Sequence, residues 1–270
     1  MRVVHSETRG EPRKTAAVTT PRRRAGIYLL PNLFTTGALF AGFYGIVAAI
    51  NDRFEAAAVA IFVAMVLDGM DGRIARMTNT QSDFGAQYDS LADMVSFGLA
   101  PALVIYEWSL QGLGKLGWLA AFVYTAGAAL RLARFNTQVG NADKRYFQGL
   151  PSPSAAALVA AMVWVGHHFE LGDGLLLLSA NLLVTVAAAL LMVSNVRYYS
   201  FKDFDLRGRV PFVSVLAVVL VFVLISLEPA RVLLVMFGSY AVSGIVQTWW
   251  QRRRRKAERR EARAANSDEG

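Results

Sequence analysis

The 270-residue sequence contains no cysteine. This absence excludes disulfide bonds, thiolate metal sites and cysteine nucleophiles. Histidine is also scarce. His5 lies in a polar N-terminal stretch, and His167 and His168 are adjacent at a predicted helix end. We interpret all three as solvated or interfacial side chains, so the sequence does not predict a zinc site.

Charged residues are few within the long apolar blocks of the chain. They are confined to the two ends and a few short connectors, and the apolar residues between them form long blocks. Hydrophobic residues make up 54% of the sequence, and its mean hydropathy is +0.36. Soluble domains have roughly 45–50% apolar residues, with charge spread along the chain. The distribution therefore predicts an all-α, polytopic membrane protein.

The apolar blocks have the lengths of membrane-spanning helices, which need about 20 mostly apolar residues. Eight spans are predicted. They lie at about 28–50, 54–76, 83–107, 116–136, 152–169, 175–194, 211–228 and 230–250. The break between the last two rests on Glu228-Pro229, which is a turn signal.

Both ends of the chain are polar and predicted to be disordered. The basic tail 1–25 is not a cleavable signal, because the apolar stretch after it is long enough to stay in the membrane. The charged tail 251–270 contains the arginine run 252–255. Nucleic acid is one candidate partner for such a run. Its position directly after an apolar segment favours an anchor to anionic membrane lipid, so we expect no nucleic acid partner.

The basic residues predict the orientation of the bundle. With the N-terminus inside, only Arg53, Lys115 and Arg231 of the 28 basic residues fall on the outer side. Cytoplasmic segments carry an excess of lysine and arginine. Both termini are therefore expected in the cytoplasm, with an even number of spans in the cytoplasmic (inner) membrane.

Four aspartates stand at the cytoplasmic ends of two neighbouring spans. Asp68 and Asp71 are three residues apart near the end of the second span, so they share a helix face. Asp89 and Asp93 are four residues apart near the start of the third span and also share a face. Because the connector is short, the two helices pack antiparallel. We expect the four carboxylates to converge at the cytoplasmic edge of the bilayer.

Converging carboxylates repel one another and need compensation in a partly desolvated site. Hard divalent cations provide it, because Mg²⁺ and Mn²⁺ prefer oxygen ligands. Two such ions beside a diphosphate would neutralise its oxygens and stabilise a leaving group. Gly69, Gly72 and Gly85 fit this interpretation, since a glycine inside a helix marks close approach by a ligand or another backbone. The alternative is a helix pair with capping and surface aspartates.

Two further side chains are candidates for direct roles in the reaction. Asp93, at the end of the set, is the natural general base for an attacking alcohol. Arg76 is placed to add positive charge to phosphates, or alternatively extends its side chain to the interface from a helix end.

The spacing D-x2-D-G-x2-A-R-x8-G-x3-D-x3-D is complete in this sequence. It stands as Asp68, Asp71-Gly72, Ala75-Arg76, Gly85, Asp89 and Asp93. The pattern resembles the signature of the CDP-alcohol phosphatidyltransferases. That resemblance implies a six-helix core with its site open to the cytoplasm, at 26–200, and a homodimer. The helix pair at 201–250 is additional to this core.

The resemblance also implies roles for single residues. Asp68, Asp71 and Asp89 would bind metal, with Asp93 as both ligand and base. The CDP-lipid site would be lined by Gly69, Gly72, Ala75, Arg76, Gly85 and Asn32.

Four further segments resemble one branch of this family, the CDP-diacylglycerol–serine O-phosphatidyltransferases. They are 30–35, 92–101, 131–136 and 147–153. Arg131 and Arg134 lie one turn apart at the membrane face of the aspartates, and a guanidinium binds a carboxylate such as that of serine well. Asn136 could add a polar contact, whereas the alternative is that both arginines only mark the inner boundary. Ser96 is interpreted as a helix-packing hydroxyl, since no base is near in sequence.

The predicted reaction is direct displacement. The serine hydroxyl attacks CDP-diacylglycerol, CMP leaves, and phosphatidylserine stays in the membrane. One alternative is the same chemistry with another acceptor, such as glycerol 3-phosphate or inositol phosphate. A more distant alternative is a divalent-cation transporter, which would place its carboxylates near the bilayer midplane.

Overall fold

The computed structural model describes residues 25–138, 146–171, 174–199 and 212–268. Helices dominate these ranges, which confirms the predicted all-α bundle; the N-terminal tail lies almost wholly outside them. The helices are α1 (Ala25–Ile50), α2 (Phe54–Met77), α3 (Asp83–Asp93), a π-helical turn (Met94–Leu99), α4 (Ala100–Trp108), a 3-10 turn (Leu110–Leu113), α5 (Lys115–Gln138), α6 (Ser152–His168), α7 (Leu175–Val193), α8 (Phe212–Leu227) and α9 (Pro229–Asp268).

Five segments of the described chain are long and apolar enough to cross a membrane. They are Leu29–Ile50 in α1, Asp83–Trp108 from α3 to α4, Lys115–Thr137 in α5, Leu175–Val193 in α7 and Pro229–Trp250 in α9. The other three predicted spans fall on α2, α6 and α8. α6 has 17 residues and α8 has 16, which is short for a span. α2 is long enough, but it carries Glu55, Asp68 and Asp71 among its apolar residues.

Small side chains form the centre of the bundle. Ala57, Ala58 and Ala64 of α2 are fully buried, as are Ala156 and Ala160 of the neighbouring α6. Small residues let helix backbones approach closely, which is how helices associate in a membrane. The short, alanine-rich α6 is therefore a central packing element.

Large apolar side chains lie on the outside instead. Phe40, Phe43, Trp118, Phe122 and Leu183 are each more than half exposed. A soluble monomer rarely shows so much exposed apolar surface, whereas a lipid-facing surface is built this way. The packing and the five apolar segments indicate an integral membrane protein.

A two-stranded ribbon, which the sequence did not predict, joins the loops beside α5. β1 (Tyr146–Gln148) pairs antiparallel with β2 (Arg197–Tyr199), with Gln148 opposite Arg197. Gly149 follows β1 with a φ of 79°, a conformation that favours glycine. A Cβ at this position would also collide with the carbonyl oxygen of Met192. The ribbon therefore fixes the start of α6 against the end of α7.

α9 extends beyond its predicted end. The sequence predicts a disordered tail from residue 251, but the backbone is helical to Asp268. The segment 251–268 is rich in arginine, glutamate and alanine and has no glycine or proline, so nothing in it stops a helix. Arg253 and Arg254 lie over the rings of Trp249 and Trp250, each 3.6 Å from the ring centre.

Candidate functional site

Three carboxylates meet where α2 ends and α3 begins. One oxygen from each of Asp68, Asp71 and Asp89 lies within 4.8 Å of the others. The connector from α2 to α3 is short, and the side chain of Ser82 caps α3 by accepting a hydrogen bond from Gly85 N at 3.1 Å. This turn makes the two helices antiparallel and brings the two pairs of aspartates to one end of the bundle.

Asp93, the fourth predicted member, lies beside this trio rather than within it. It is the last residue of α3, one turn after Asp89, and it is in hydrogen-bonding reach of Asp68. The structure thus separates three clustered oxygens from a fourth carboxylate next to them. This arrangement suits a set of ligands with an adjacent base.

Thr35 of α1 fixes the orientation of Asp71. Its hydroxyl donates to Asp71 Oδ2 at 2.6 Å, and both side chains are buried. A hydrogen bond to an ionised acceptor is stronger than a neutral one. Close by, the hydroxyls of Thr36 and Tyr88 lie 2.9 Å apart and connect α1 to α3. Sequence reasoning gave Thr35 no role, and its only signal was membership of the segment 30–35.

One oxygen atom of the three clustered aspartates lacks a hydrogen-bond partner among the described residues. This atom, Asp89 Oδ1, is buried. Such an atom is costly unless something compensates it. The cluster offers only carboxylate oxygens, which is the donor set of a hard divalent cation. The residues present therefore fit such an ion.

A cavity of about 210 Å³ opens beside the aspartates. Its walls include Asn32, Thr35, Asp71, Gly72, Ala75, Arg76, Gly85 and Asp89. Most of the residues predicted to bind the CDP-lipid therefore line the same cavity as Asp71 and Asp89, two of the clustered aspartates.

The three glycines of the signature have different surroundings. A Cβ at Gly69 or Gly72 would find no heavy atom within 4 Å, so neither glycine is required for protein packing. At Gly85 a Cβ would lie 3.2 Å from Ser82 Oγ and 3.6 Å from Asn32 Oδ1. Gly85 therefore leaves room for the Ser82 cap of α3, whereas the other two leave backbone open to a ligand.

Arg76 lies at the edge of this cavity. Its Nε donates to the carbonyl oxygen of Gly72 at 2.9 Å, one turn earlier in α2, and the side chain is exposed. This bond holds the guanidinium along the helix, next to the open glycine.

Two of the residues predicted to bind the acceptor alcohol, Arg134 and Asn136, make hydrogen bonds to other side chains of the protein. Arg134 donates to Gln148 Oε1 at 2.7 Å and to Asn195 Oδ1 at 2.6 Å, so it joins the ribbon to the end of α7. Asn136 Nδ2 donates to Ser90 Oγ at 3.0 Å. Both contacts stay within the protein.

Arg131 is the most buried of the three acceptor candidates. Its Nη1 donates to the carbonyl oxygen of Gln148 at 3.1 Å. The structure therefore anchors Arg131 to the ribbon, which its position in the sequence alone did not establish.

A π-helical turn follows Asp93, and the sequence did not predict it. Ala100 N donates to Val95 O, five residues back. Phe97 O lacks its usual α-helical donor because Pro101 has no N–H; instead, the hydroxyl of Tyr124 donates to it at 3.2 Å. Single π turns occur often at functional sites, and they shift the face that the following residues present.

Ser96 lies inside this turn and packs against α1. Its hydroxyl is fully buried and donates to Ala38 O at 3.0 Å. A Cβ on Gly42 would lie 2.6 Å from Ser96 Oγ, so the contact requires that glycine. This confirms the interpretation of Ser96 as a packing hydroxyl.

Comparison with known proteins agrees with this geometry. A family model described as CDP-alcohol phosphatidyltransferase matches residues 28–194. The chain belongs to the CDP-alcohol phosphatidyltransferase family. It is thus a membrane enzyme, and the residues that the family model matches run from α1 to the end of α7.

Several curated relatives carry the name CDP-diacylglycerol–serine O-phosphatidyltransferase. The protein from Helicobacter pylori (strain ATCC 700392 / 26695) is 37% identical over 224 residues, which cover 82% of this chain and 91% of that one. The protein from Methanocaldococcus jannaschii is 30% identical over 187 residues, covering 69% and 81%. The protein from Bacillus subtilis (strain 168) is 31% identical over 173 residues, covering 64% and 91%.

Proposed function

We propose that this phosphatidyltransferase moves the phosphatidyl group of CDP-diacylglycerol to the hydroxyl of L-serine, giving phosphatidylserine and CMP. Family membership and the names of the relatives support the donor and the acceptor. The observation that carries the proposal is the aspartate trio beside a cavity with open glycine backbone.

The aspartates would hold two divalent cations, Mg²⁺ or Mn²⁺. Asp68, Asp71 and Asp89 are the ligands, and Asp93 is placed to share one. When bound, the cations would neutralise the diphosphate and stabilise the departing CMP. Thr35 would keep the Asp71 carboxylate in position, since its hydroxyl already occupies the oxygen that faces α1.

The cavity would take the polar part of the donor. Its volume of about 210 Å³ is below the roughly 300–1,000 Å³ of pockets that enclose a whole ligand. The diphosphate and cytidine would therefore bind along Gly69, Gly72, Ala75 and Arg76, with Asn32 and Gly85 opposite. The acyl chains would remain in the bilayer.

The reaction is a displacement at the phosphorus that carries diacylglycerol. The serine oxygen forms a bond to this phosphorus, and the bond from phosphorus to the CMP oxygen breaks, so that its electron pair leaves with CMP. Asp93 accepts the hydroxyl proton and later passes it to solvent. Arg131 would bind the serine carboxylate. Arg134 and Asn136 would support the same wall of the acceptor site.

The proposal also gives the enzyme a place and an orientation. The distribution of basic residues supports insertion in the cytoplasmic membrane with both termini and the active site on the cytoplasmic side. The basic inner face would attract the anionic donor and product. A homodimer is part of the proposal through family resemblance.

The nearest alternative keeps the aspartates and changes the acceptor to glycerol 3-phosphate or inositol phosphate. The test is CMP release by the purified protein with CDP-diacylglycerol, Mg²⁺ or Mn²⁺, and each alcohol in turn. We expect release that depends on both serine and the cation. Release with another alcohol, and none with serine, would contradict the proposed acceptor. No cation-dependent release with any alcohol would contradict the whole proposal.

A further inference from the structure

The cavity beside the aspartates is lined by α1, α2, α3 and the connector between the last two. Its volume of about 210 Å³ leaves the diacylglycerol part of the proposed donor outside it. The phosphorus under attack carries this part, so the lipid has to leave the cavity near the depth of the clustered aspartates. The three helices meet one another along three seams, and the lipid therefore lies beside one of them.

The seam between α1 and α2 is closed by tight packing. A Cβ on Gly37 would lie 3.3 Å from Leu67 Cδ1, and one on Gly45 would lie 3.3 Å from the carbonyl oxygen of Ala57. Helices that approach so closely leave no room for an acyl chain. The seam between α2 and α3 is occupied at this depth by the clustered carboxylates themselves.

The seam between α1 and α3 is built differently. The hydroxyls of Thr36 and Tyr88 lie 2.9 Å apart across it. Each is the neighbour in sequence of a residue that lines the cavity, Thr35 and Asp89 respectively. A hydrogen bond between two side chains thus separates the cavity from the outer surface of the bundle. Deeper in the membrane, the contact of the π-helical turn with α1 closes the same seam.

Exposed apolar side chains flank this hydrogen bond on both helices. Four of them are each more than half exposed, namely Leu33 and Phe40 on α1 and Phe84 and Leu91 on α3. Their spacing of three or four residues from Thr36 or Tyr88 places them on the same helix faces as the two hydroxyls. The rings of Phe84 and Tyr88 are stacked, with 6.0 Å between their centres. The outer surface of the seam is therefore an apolar strip that contains one pair of hydroxyl groups.

The direction of the hydrogen bond follows from the number of hydrogens. The Thr36 hydroxyl has a single hydrogen, which it donates to the carbonyl oxygen of Asn32 at 2.7 Å. Tyr88 is therefore the donor to Thr36 Oγ1. The phenol is half-buried, and it stands next to Asp89 in the chain. It thus offers an O–H donor beside the site, at the depth where the lipid begins.

We propose that the diacylglycerol part of the donor lies along the outer surface of the α1–α3 seam, where Tyr88 donates a hydrogen bond to an ester carbonyl and Phe84 packs against the lipid. Ester oxygens only accept hydrogen bonds, and they lie a few bonds from the phosphorus. The bound lipid takes the hydrogen bond that Thr36 accepts in its absence. This inference rests on the proposed function, because CDP-diacylglycerol is taken there as the donor.

The first test is the kinetics of Tyr88→Phe, which keeps the stacked ring and removes only the hydroxyl. We expect the KM for CDP-diacylglycerol to rise about fivefold, in line with the loss of one hydrogen bond. The inhibition constant of CMP, which lacks the lipid part, should not change, and neither should the KM for serine. Formation of phosphatidylserine from labelled serine measures all three. Tyr106→Phe is the matched control, since Tyr106 is a half-buried tyrosine near the far end of α4.

Thr36→Val separates lipid binding from a merely structural role. It breaks the same hydrogen bond between α1 and α3, but it leaves the Tyr88 hydroxyl free to donate to the lipid. The KM for CDP-diacylglycerol should therefore not rise in this variant. A bond that only joins the two helices would make Thr36→Val and Tyr88→Phe behave alike.

Phe84→Ala tests the apolar part of the strip, and it carries the test if Tyr88→Phe does not fold. The KM for CDP-diacylglycerol should rise about tenfold with the loss of apolar contact, again with no change in the inhibition constant of CMP. Phe122→Ala is the matched control. Phe122 is also more than half exposed, but it lies in the first half of α5, whereas α5 reaches α3 beside the site near its last turn.

The outcomes separate the possibilities. Selective rises in the KM for CDP-diacylglycerol in Tyr88→Phe and Phe84→Ala, with none in Thr36→Val, support the proposal. Equal rises in Tyr88→Phe and Thr36→Val would overturn it, as would a parallel rise in the CMP constant or an unchanged KM for CDP-diacylglycerol in either folded variant. If the wild type makes no phosphatidylserine, the proposed function fails. The dissociation constants of CDP-diacylglycerol and CMP, measured by titration calorimetry, then decide this inference by the same comparison.

Discussion

The two halves of α2 have opposite surroundings. Its first half is built from alanines that are fully buried against the neighbouring helices, such as Ala57 and Ala64. Its second half carries Asp68 and Asp71 and exposes the backbone at Gly72. One helix thus provides close packing at one end and an open polar site at the other. The close-packed half gives the carboxylates a rigid support, which a metal site needs.

Glycines show the same contrast. Gly42 and Gly45 of α1 lie where helices touch, and a Cβ at either would press on a neighbour at 2.6 or 3.3 Å. Gly69 and Gly72 face open space. Glycine therefore allows protein packing in the bundle centre and ligand approach at the site. Substitutions at Gly42 and Gly72 can separate these two uses of glycine.

The largest expected effect is on catalysis alone. Asp93→Asn removes the proposed base and keeps the size of the side chain, so kcat should fall by about 10²–10⁴-fold. Stability should hold or rise, because Asp68 and Asp89 lose a neighbouring like charge. CMP release and thermal unfolding in detergent measure the two quantities. A variant that retains a tenth of the wild-type rate would contradict the assignment of Asp93.

A pair of glycine variants tests the contrast directly. Gly42→Ala overpacks the α1 contact with Ser96 and should cost about 1–3 kcal/mol of unfolding free energy. Gly72→Ala meets no protein atom and removes a helix-interior glycine, so it should be neutral or stabilise by up to about 1 kcal/mol.

In the activity assay, the order of the two effects should be reversed, so that Gly72→Ala has the larger effect. Gly72→Ala should raise the KM for CDP-diacylglycerol, because its methyl group enters the space proposed for the donor. Gly42→Ala should change the amount of folded protein more than its KM. Equal effects of both variants on stability and on KM would remove the distinction between the two kinds of glycine.

The smallest effect concerns the π turn. Tyr124→Phe removes the side-chain donor to Phe97 O, which cannot accept from the backbone of Pro101. We expect a loss of about 1 kcal/mol in unfolding free energy. Urea unfolding of this variant beside Tyr106→Phe measures the difference. Equal stability of the two would mean that Phe97 O finds another donor.

Sequence periodicity was sufficient for the helices and for the convergence of the aspartates. Span length follows from local hydropathy, and a short connector between α2 and α3 leaves one way to pack them. The pattern of Asp68, Asp71 and Asp89 therefore predicted a cluster that the structure contains.

The remaining features depend on contacts that are distant in sequence. The π turn accepts a hydrogen bond from Tyr124 on another helix, and the ribbon pairs residues about 50 positions apart. Charge alone does not indicate disorder after residue 250, because arginine, glutamate and alanine are good helix formers and α9 continues to Asp268.

The central claim is that the open end of α2 and α3 holds divalent cations. The most direct test is Mn²⁺ binding, followed by the electron paramagnetic resonance signal of the free ion, with purified protein and CDP-diacylglycerol. We predict binding by the wild type, loss of binding in Asp89→Asn, and full binding in Asp83→Asn, an exposed aspartate on the same helix. Unchanged binding in Asp89→Asn, or no binding by the wild type, would contradict the account.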